Sequence, residues 1–296
     1  MSDTRLDTLL DKAAEQQLVP GGGIVLAATP VGNPLDASIR LIHALQAADI
    51  IAAEDTRTTK ALADYLGIQL KATLISNHDH NEQDRAQALV DHAQAGKLVL
   101  LVSDAGMPVV SDPGFALITL AHEQGVPVTC LPGPSAVPTA LVLSGLSVGH
   151  FSFLGFAPRK DGARRDYFTT HGSLPHAWCF FESPRRLAAT LRTAAEVLGE
   201  TRAAAVCREL TKAYEEVRRG GLGELARWAE DGVKGEICVV IDAAPDEDAQ
   251  VPLEELVAQV EALVAEGVRM KEAAGQVAAR HQLSKRDLYQ AVLDAR

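Results

Sequence analysis

The sequence lacks any apolar run of about 18 residues, so it offers no candidate transmembrane helix. Its first 20 residues carry scattered charges, without the basic and then apolar layout of a signal peptide. From these two absences we expect a cytoplasmic protein.

Cysteine is also scarce, and no two cysteines are spaced as C-x-x-C. The four cysteines lie in apolar stretches, at Cys130, Cys179, Cys207 and Cys238. This pattern excludes zinc-ligand spacing and a disulfide framework, and it predicts buried, reduced thiols. We therefore expect no metal site. A G-x-G-x-x-G fingerprint is missing after the first predicted strand as well, which argues against a nicotinamide-dependent oxidoreductase.

Positive charge is in deficit, because the net charge is −11. Phosphate groups are bound by positively charged surfaces, so a net negative charge argues against a protein whose whole surface binds nucleic acid. The bases are nevertheless clustered. Residues 159–165 hold four bases and one acid, and residues 269–286 hold five bases and one acid. Such clusters predict a local RNA track on an acidic body, although solvated helix faces would give the same pattern in the tail.

Short apolar strands alternate with helices of roughly 9 to 14 residues, a rhythm that is typical of βαβ units and a parallel sheet. We predict a polar helical extension over 1–20, a first α/β domain over 21–145 and a second, mixed α/β domain over 146–242. An acidic linker over 243–252 would lead to a helical, helix-turn-helix-like tail over 253–296. The fold class is therefore two α/β domains plus a C-terminal helical module.

The loops that follow the predicted strands carry the chemistry. Ligands of open α/β sheets bind along the carboxyl ends of the strands. Asp104 follows the strongest strand and has no other evident duty, so we favour a ligand role for it. Asp112 either caps the helix that Pro113 would begin or faces the same ligand. Asp55 and Arg57 either cap a helix with a surface ion pair or face the cleft.

Eight segments, read in order, resemble one family closely. They are ATPVGN (28–33), AAEDTR (52–57), LVSDAGMPVVSDPG (101–114), LPGPSA (131–136), GFAPRK (155–160), FFESPRR (180–186), CRELTK (207–212) and KGE (234–236). These segments are similar to those of the tetrapyrrole-methylase-like superfamily. They are most similar to the branch that methylates a cytidine ribose 2′-oxygen in 16S ribosomal RNA. The resemblance covers about residues 23–242 and the helical tail.

The resemblance implies an S-adenosylmethionine-dependent methyltransferase that holds its cofactor in a cleft between two domains and forms a homodimer. The residues implied at the cofactor, with two more from the same loop, are Pro30, Ser103, Asp104, Ala105, Gly106, Pro108, Pro132, Glu182 and Leu210. The sequence departs from the branch at Met107, where threonine is expected, and at Arg185, where histidine is expected. The second departure puts the role of Arg185 in doubt.

Methyl transfer from a sulfonium is an in-line displacement in which alignment supplies much of the rate. A ribose hydroxyl also has to lose its proton, so a general base would help. The catalytic candidates are Asp55, Arg57 and Lys212, with Glu182 and Glu209 as further groups for this step or for positioning. Lys212 could act as a base only if its pKa were lowered. The residues alone do not decide between Asp55 and Lys212.

The expected partner is 16S ribosomal RNA or the small ribosomal subunit. The candidate RNA-binding residues are Arg159, Lys160, Arg164, Arg165, Arg185, Arg186, Lys285 and Arg286. Two other functions compete with this one. A tetrapyrrole-type small-molecule methyltransferase would need neither the 159–165 cluster nor a basic tail. A non-catalytic RNA-binding assembly factor would not need acidic, proline-bounded loops at several strand ends.

Overall fold

A computed structural model describes residues 4–16, 18–78, 81–245, 253–280 and 283–295. The described chain divides into two compact units. The first unit holds both sheets and ends at Asp242, apart from a short excursion at 172–176 that groups with the second unit. The second unit otherwise consists of the described residues from Ala243 onward.

The first sheet is fully parallel, with the strand order β3-β2-β4-β1-β5. Its strands are β1 (Gly23–Ala27), β2 (Ile50–Ala53), β3 (Thr73–Ser76), β4 (Leu98–Val102) and β5 (Val128–Leu131). The helices up to this point and just beyond it are α1 (Thr4–Glu15), α2 (Ile39–Ala47), α3 (Thr56–Tyr65), α4 (Glu82–Gln94), α5 (Phe115–Glu123) and α6 (Ala136–Ser144). A 3₁₀ turn, Pro34–Asp36, precedes α2.

Alternate residues of the central strands enter two separate cores, which is why β2 and β4 read as continuous apolar runs. Val25, Ile51 and Leu100 pack on one face against α2 and α3. Ile24, Ile50 and Val99 pack on the other face against α4 and α5. Helices from the first two crossovers thus cover one face, and those from the later crossovers cover the other. This arrangement opens a crevice at the carboxyl ends of the strands.

The second sheet is mixed, with the order β6-β7-β10-β8-β9 and one parallel pair, β6 with β7. Its strands are β6 (Phe151–Phe156), β7 (Ala177–Glu182), β8 (Ala203–Arg208), β9 (Glu216–Gly221) and β10 (Ile237–Ile241). Its helices are α7 (Asp161–His171), α8 (Leu187–Leu198) and α9 (Leu222–Glu230).

Helix α6 packs under the second sheet, although the sequence prediction placed it in the first domain. Val137, Ala140 and Leu141 share a core with Cys179 and Cys207. The helix therefore leads from the last strand of one sheet to the buried face of the other. Three of the four cysteines are buried, as predicted. The prediction is wrong for Cys130, which is exposed because it lies on the edge strand β5.

The second unit contains α10 (Leu253–Ala265), α11 (Met270–Arg280) and α12 (Lys285–Asp294). Leu256, Val260, Val277 and Leu288 form its core. Ser284 caps α12 by accepting a hydrogen bond from the Asp287 amide. The predicted linker lies outside the described residues from 246 onward. Among the described residues, no helix combines the length and apolarity that a bilayer span requires.

Candidate cofactor cleft

A cavity of about 450 Å³ lies where loops from the two sheets of the first unit meet. The first sheet contributes the loops after β1, β2 and β4, and the second contributes residues around β6, β7, β8 and β10. The lining residues are Val31, Glu54, Asp104, Ala105, Ser111, Asp112, Ala136, Phe156, Phe181, Glu182, Ser183, Pro184, Leu210, Gly235, Glu236, Ile237 and Cys238.

The loops after β1 and β4 are joined by backbone hydrogen bonds. The Thr29 amide donates to the Gly106 carbonyl at 2.8 Å, and the Gly106 amide donates back at 3.0 Å. The Thr29 hydroxyl also donates to the Ser103 carbonyl at 3.1 Å. Gly106 has a φ of +82°, a left-handed conformation that glycine adopts without steric cost. This brace fixes the backbone that carries Asp104 and Ala105 into the cavity wall.

Glu54 and Asp104 bind each other's loops. The Asp104 amide donates to Glu54 Oε2 at 3.1 Å, and Asp104 Oδ1 accepts the Asp55 amide at 3.1 Å. Burial raises the pKa of Asp104 above its usual value, and the nearby Asp55 carboxylate adds to the rise. The sequence prediction of a ligand role named Asp104 but not Glu54, although Glu54 adjoins Asp55 in the same segment.

Asp55 and Arg57 do not line the cavity in the described structure. Asp55 caps α3 by accepting the Arg57 amide at 2.8 Å, and it forms an ion pair with the Arg57 guanidinium at 2.6 Å. Hydrogen bonds from Arg57 lower the pKa of Asp55 to about 2. Such a carboxylate is a very weak base, so the geometry favours the capping alternative and argues against the catalytic role we expected for Asp55.

Asp112 does line the cavity, and it does not cap a helix. Helix α5 begins three residues later, at Phe115, and its N-cap is Gly114. Of the two interpretations of Asp112, the geometry therefore favours the ligand-facing one, because Pro113 precedes the helix rather than opening it. Glu82 instead satisfies the Gly114 amide, accepting its hydrogen bond at 2.5 Å.

Glu182 is the last residue of β7, and it is a buried part of the cavity wall that the second sheet forms. Its side chain is fully buried, and its Oε2 accepts from the Thr190 hydroxyl at 2.6 Å. Oε1 accepts the Ser183 amide at 2.7 Å and forms an ion pair with Arg186. Arg186 also donates to the Ala157 carbonyl at 3.2 Å, which ties the loop after β6 to this wall.

The rest of the wall is apolar and aromatic. Phe156 and Phe181 meet edge to face, with their ring centroids 5.6 Å apart. Leu210 and Val31 face the cavity from the loops after β8 and β1. The sequence analysis missed both phenylalanines, since an aromatic residue near a strand end is usually part of a core.

Lys212 lies at the edge of this wall between two carboxylates. Its Nζ donates to Glu209 at 3.0 Å and to Glu236 at 2.9 Å. Partial burial would lower the pKa of Lys212, but the hydrogen bonds to Glu236 and Glu209 outweigh burial and raise it. The condition under which Lys212 could act as a base is therefore not met, and the side chain carries a fixed positive charge.

The cofactor residues expected from the sequence fall into two groups. Asp104, Ala105, Glu182 and Leu210 line the cavity. The other expected residues are not part of the lining, namely Pro30, Ser103, Gly106, Pro108 and Pro132. Ser103 is buried and its hydroxyl donates to the Gly106 carbonyl at 3.3 Å, so it shapes the loop.

The predicted RNA-binding arginines also divide. Arg164 is buried in α7, where its guanidinium binds Asp161 at 2.6 Å and the Thr193 hydroxyl at 3.1 Å. Direct RNA contact by Arg164 is therefore corrected to a structural role, as it is for Arg186, which pairs with Glu182. Arg165 is half-exposed and pairs with Glu196. The other candidates are exposed at Arg159, Lys160, Arg185, Lys285 and Arg286.

The electrostatic character of the cavity is clear from its lining. Five carboxylates are present and, among the described lining residues, neither lysine nor arginine is. Arg186 forms an ion pair with Glu182, and Lys212 forms one with Glu236, but neither cation is a lining residue. A cavity with this lining fits a ligand that combines positive charge with apolar or aromatic parts. No cluster of histidine, cysteine and carboxylate side chains suited to a metal ion occurs in the described ranges.

Comparison with known proteins gives a consistent picture. The family model for tetrapyrrole (corrin/porphyrin) methylases matches residues 23–226. A Mycobacterium tuberculosis protein named ribosomal RNA small subunit methyltransferase I is 53% identical over 277 residues, covering 93% of this chain and 96% of its own. Proteins of the same name from Halalkalibacterium halodurans and Escherichia coli O157:H7 are 42% and 38% identical, over 93% and 92% of this chain and 96% and 95% of their own.

Solved structures share the fold at low sequence identity. The methyltransferase CobJ is 19% identical with a TM-score of 0.59, covering 75% of this chain and 95% of its own. Uroporphyrin-III C-methyltransferase from Thermus thermophilus, complexed with S-adenyl homocysteine, is 17% identical with a TM-score of 0.54, covering 74% and 97%. The prediction of two α/β domains with C-terminal helices is confirmed.

Proposed function

This chain belongs to the tetrapyrrole (corrin/porphyrin) methylase family, alongside relatives named ribosomal RNA small subunit methyltransferase I, and on that premise we propose a specific reaction. The protein transfers the methyl group of S-adenosylmethionine to the ribose 2′-hydroxyl of a cytidine in 16S ribosomal RNA. Its place of action would be the cytoplasm, on the small ribosomal subunit.

One observation carries the proposal: the cavity is lined by carboxylates and edged by two phenylalanine rings. S-adenosylmethionine supplies an activated methyl group on a sulfonium cation. Carboxylates in a partly buried site attract a cation more strongly than they would in water. The faces of Phe156 and Phe181 can add cation–π attraction. A volume of about 450 Å³ lies within the usual range of small-molecule sites, roughly 300 to 1,000 Å³.

The residues of the two walls have different tasks in this proposal. Asp104 and Ala105, on a braced loop, hold the polar end of the donor, and Leu210 with the phenylalanine rings holds its flat, apolar part. Lys212 keeps its charge at neutral pH, so it orients groups rather than accepting the proton of the ribose hydroxyl. The ribose oxygen would bond to the methyl carbon as the carbon–sulfur bond breaks, so that S-adenosylhomocysteine leaves and the hydroxyl proton passes to water. Alignment of donor and acceptor in a fixed cavity then supplies much of the rate.

RNA binding would depend on exposed lysine and arginine side chains near the cleft and in the tail. Arg159 and Lys160 follow the loop that Arg186 ties to the cavity wall, and Arg185 precedes Arg186 directly. Lys285 and Arg286 begin α12 in the second unit. A ribose in a duplex would have to leave its stack to enter the cavity.

A homodimer, implied by the family resemblance, remains part of the proposal and is checked by sedimentation.

The test is methyl transfer with purified protein and labelled S-adenosylmethionine. Small subunits from cells that lack the protein should accept about one methyl group each, and fully modified subunits should accept none. Uroporphyrinogen tests the small-molecule alternative. Transfer to uroporphyrinogen and not to subunits would overturn the proposed acceptor. RNA binding without any binding of S-adenosylmethionine would instead favour a non-catalytic assembly factor.

A further inference from the structure

The segment from Glu209 to Lys212, after β8, has a strained backbone. Glu209 has a φ of +52° and Thr211 a φ of +63°. The left-handed region is unfavourable for most residues other than glycine, and it is most unfavourable for a β-branched residue such as threonine. Such strain persists only where neighbouring groups hold it, and it clusters at sites that bind ligands.

Hydrogen bonds on both sides hold Thr211 in this conformation. The Thr211 amide donates to Glu215 Oε2 at 2.6 Å, three residues beyond the segment. The Thr211 hydroxyl accepts the backbone amide of Asn33 at 2.9 Å. Asn33 lies in the loop after β1, so this second bond joins a loop of the first sheet to a loop of the second sheet.

Gly32 lies beside that bond and leaves no space for a larger residue. A Cβ atom added at Gly32 would lie 2.6 Å from the Leu210 carbonyl oxygen and would overlap Lys212 Cγ. The side chain of Lys212 could turn away, but a backbone oxygen moves only if the two loops separate. Val31 and Leu210, the neighbours of this contact, both line the cavity. The two loops thus approach each other closely at the edge of the cofactor cleft.

We propose that Thr211 and Gly32 form a latch that sets the width of the cofactor cleft. The Thr211 hydroxyl is a positioning group: Thr211 is not a lining residue, but its hydrogen bond holds the loop that carries Leu210 to the loop that carries Val31. Glycine at position 32 allows the approach, and the Asn33–Thr211 hydrogen bond offsets the strain of the left-handed threonine. The inference rests on the proposed function, because it assigns S-adenosylmethionine to the cleft.

Substitutions separate the hydroxyl from the shape of the side chain. Thr211→Val keeps the branched side chain and loses the acceptor, so S-adenosylmethionine should bind about five- to tenfold more weakly, the usual effect of one lost hydrogen bond. Thr211→Ser keeps the acceptor, so its affinity for S-adenosylmethionine should stay within about twofold of the wild-type affinity. In T211V the KM for S-adenosylmethionine should rise more than kcat falls, because the bound complex still aligns its reactants.

Gly32→Ala tests the close approach, with Gly162→Ala as its control. Nothing lies within 4 Å of a Cβ added at Gly162. Binding of S-adenosylmethionine should weaken at least tenfold in G32A and stay unchanged in G162A. Equal affinity of the two variants would overturn the latch, and this comparison decides the matter if T211V does not fold.

Hydrogen exchange of the Asn33 amide tests the latch without any ligand. The amide should be protected in the unmodified protein and in T211S, and it should exchange faster in T211V. Unchanged protection in T211V would overturn the inference. A protein that bound no S-adenosylmethionine would refute the proposed function, yet the exchange result would still decide whether the latch exists.

Discussion

Two aspartates that follow neighbouring strands experience opposite environments. Burial and a neighbouring carboxylate raise the pKa of Asp104, whereas hydrogen bonds from Arg57 lower the pKa of Asp55 to about 2. The first carboxylate faces the cavity, and the second faces an exposed guanidinium that already satisfies it. Attraction for a cationic ligand therefore resides in Asp104 rather than in Asp55.

Asp104→Asn should weaken S-adenosylmethionine binding at least tenfold without lowering stability. A raised pKa means that the folded protein binds this proton more readily than the unfolded chain does. The ionised form thus opposes folding above that pKa. Asparagine keeps the acceptor for the Asp55 amide and removes this cost, so Tm at pH 7 should stay equal or rise.

Calorimetry and thermal melts check both parts of this prediction, with Asp64→Asn, an exposed helical change, as the control. Unchanged affinity in D104N would remove Asp104 from the site. A large fall in Tm would show that its carboxylate stabilises the fold instead of the ligand.

Lys212→Arg should keep most of the activity, because Lys212 acts through its charge. Arginine preserves the positive charge between Glu209 and Glu236 but cannot serve as a base near neutral pH. The pH–rate profile between 6.5 and 9 should keep its shape in K212R, since the pKa of Lys212 is raised away from that range. Loss of the rate in K212R as complete as in Lys212→Met would restore Lys212 as the base.

At the scale of elements, the junction of β7 and α8 joins the cavity to the loop after β6. Glu182 is buried at the end of the strand, and Arg186 reaches both its carboxylate and the Ala157 carbonyl. Removing one partner of a buried ion pair leaves an uncompensated charge and costs about 3 to 5 kcal/mol. Breaking an exposed pair costs about 0 to 1 kcal/mol.

Arg186→Met should therefore destabilise the protein by less than that full cost, about 2 to 4 kcal/mol, because Arg186 is partly exposed and Glu182 keeps its hydrogen bonds from Ser183 and Thr190. Arg192→Met breaks the half-exposed pair with Glu230 and should cost at most about 1 kcal/mol. Urea unfolding of the two variants measures the difference. Equal losses would mean that Glu182 finds other compensation when Arg186 is absent.

The sequence predicted most strands and helices because their apolar patterns are strong, as in the LVLLV run of β4. Its apolar pattern gives no indication of α7, whose buried residues are Phe168 and an arginine, Arg164. A composition rich in charge and threonine gives no apolar period, so residues 159–165 read only as a basic cluster. Their division into an exposed loop and a buried helical turn depends on packing against Thr193, a contact between distant parts of the chain.

The candidate site was predictable where strand ends carry unusual residues, as at Asp104. It was not predictable where a common residue enters the cavity through tertiary packing. Glu236 lies just before β10 and Phe156 ends β6, and neither position differs locally from an ordinary surface or core site. The packing of α6 against the second sheet could not be predicted for the same reason, because its sequence would suit a helix packed on either sheet.

At the scale of the whole molecule, charge is segregated rather than uniform. The net charge is −11, and part of the acid is concentrated in the cavity lining. Arg159, Lys160 and Arg185 are exposed on the second sheet's loops and helix ends. An acidic cavity favours a cationic methyl donor, whereas exposed lysine and arginine side chains favour phosphate groups. A protein with a net negative charge can therefore bind both ligands, each at its own surface.

Replacing Arg159, Lys160 and Arg185 together by alanine should weaken binding to 16S ribosomal RNA. Each lost phosphate contact should reduce the slope of log affinity against log salt by about one. S-adenosylmethionine affinity should be unchanged. Arg218→Ala is the control, because Arg218 lies 5.3 Å over the Trp228 ring. If the slope of the triple variant equalled that of the wild-type protein, the RNA would bind at another surface.

The central claim is tested most directly by nucleotide-resolved mass spectrometry of 16S ribosomal RNA from cells with the protein, without it, and with D104N in its place. The account predicts one 2′-O-methylcytidine that is present in the first case and absent or strongly reduced in the other two. Identical RNA in all three, or a lost methyl group located on a base, would contradict it.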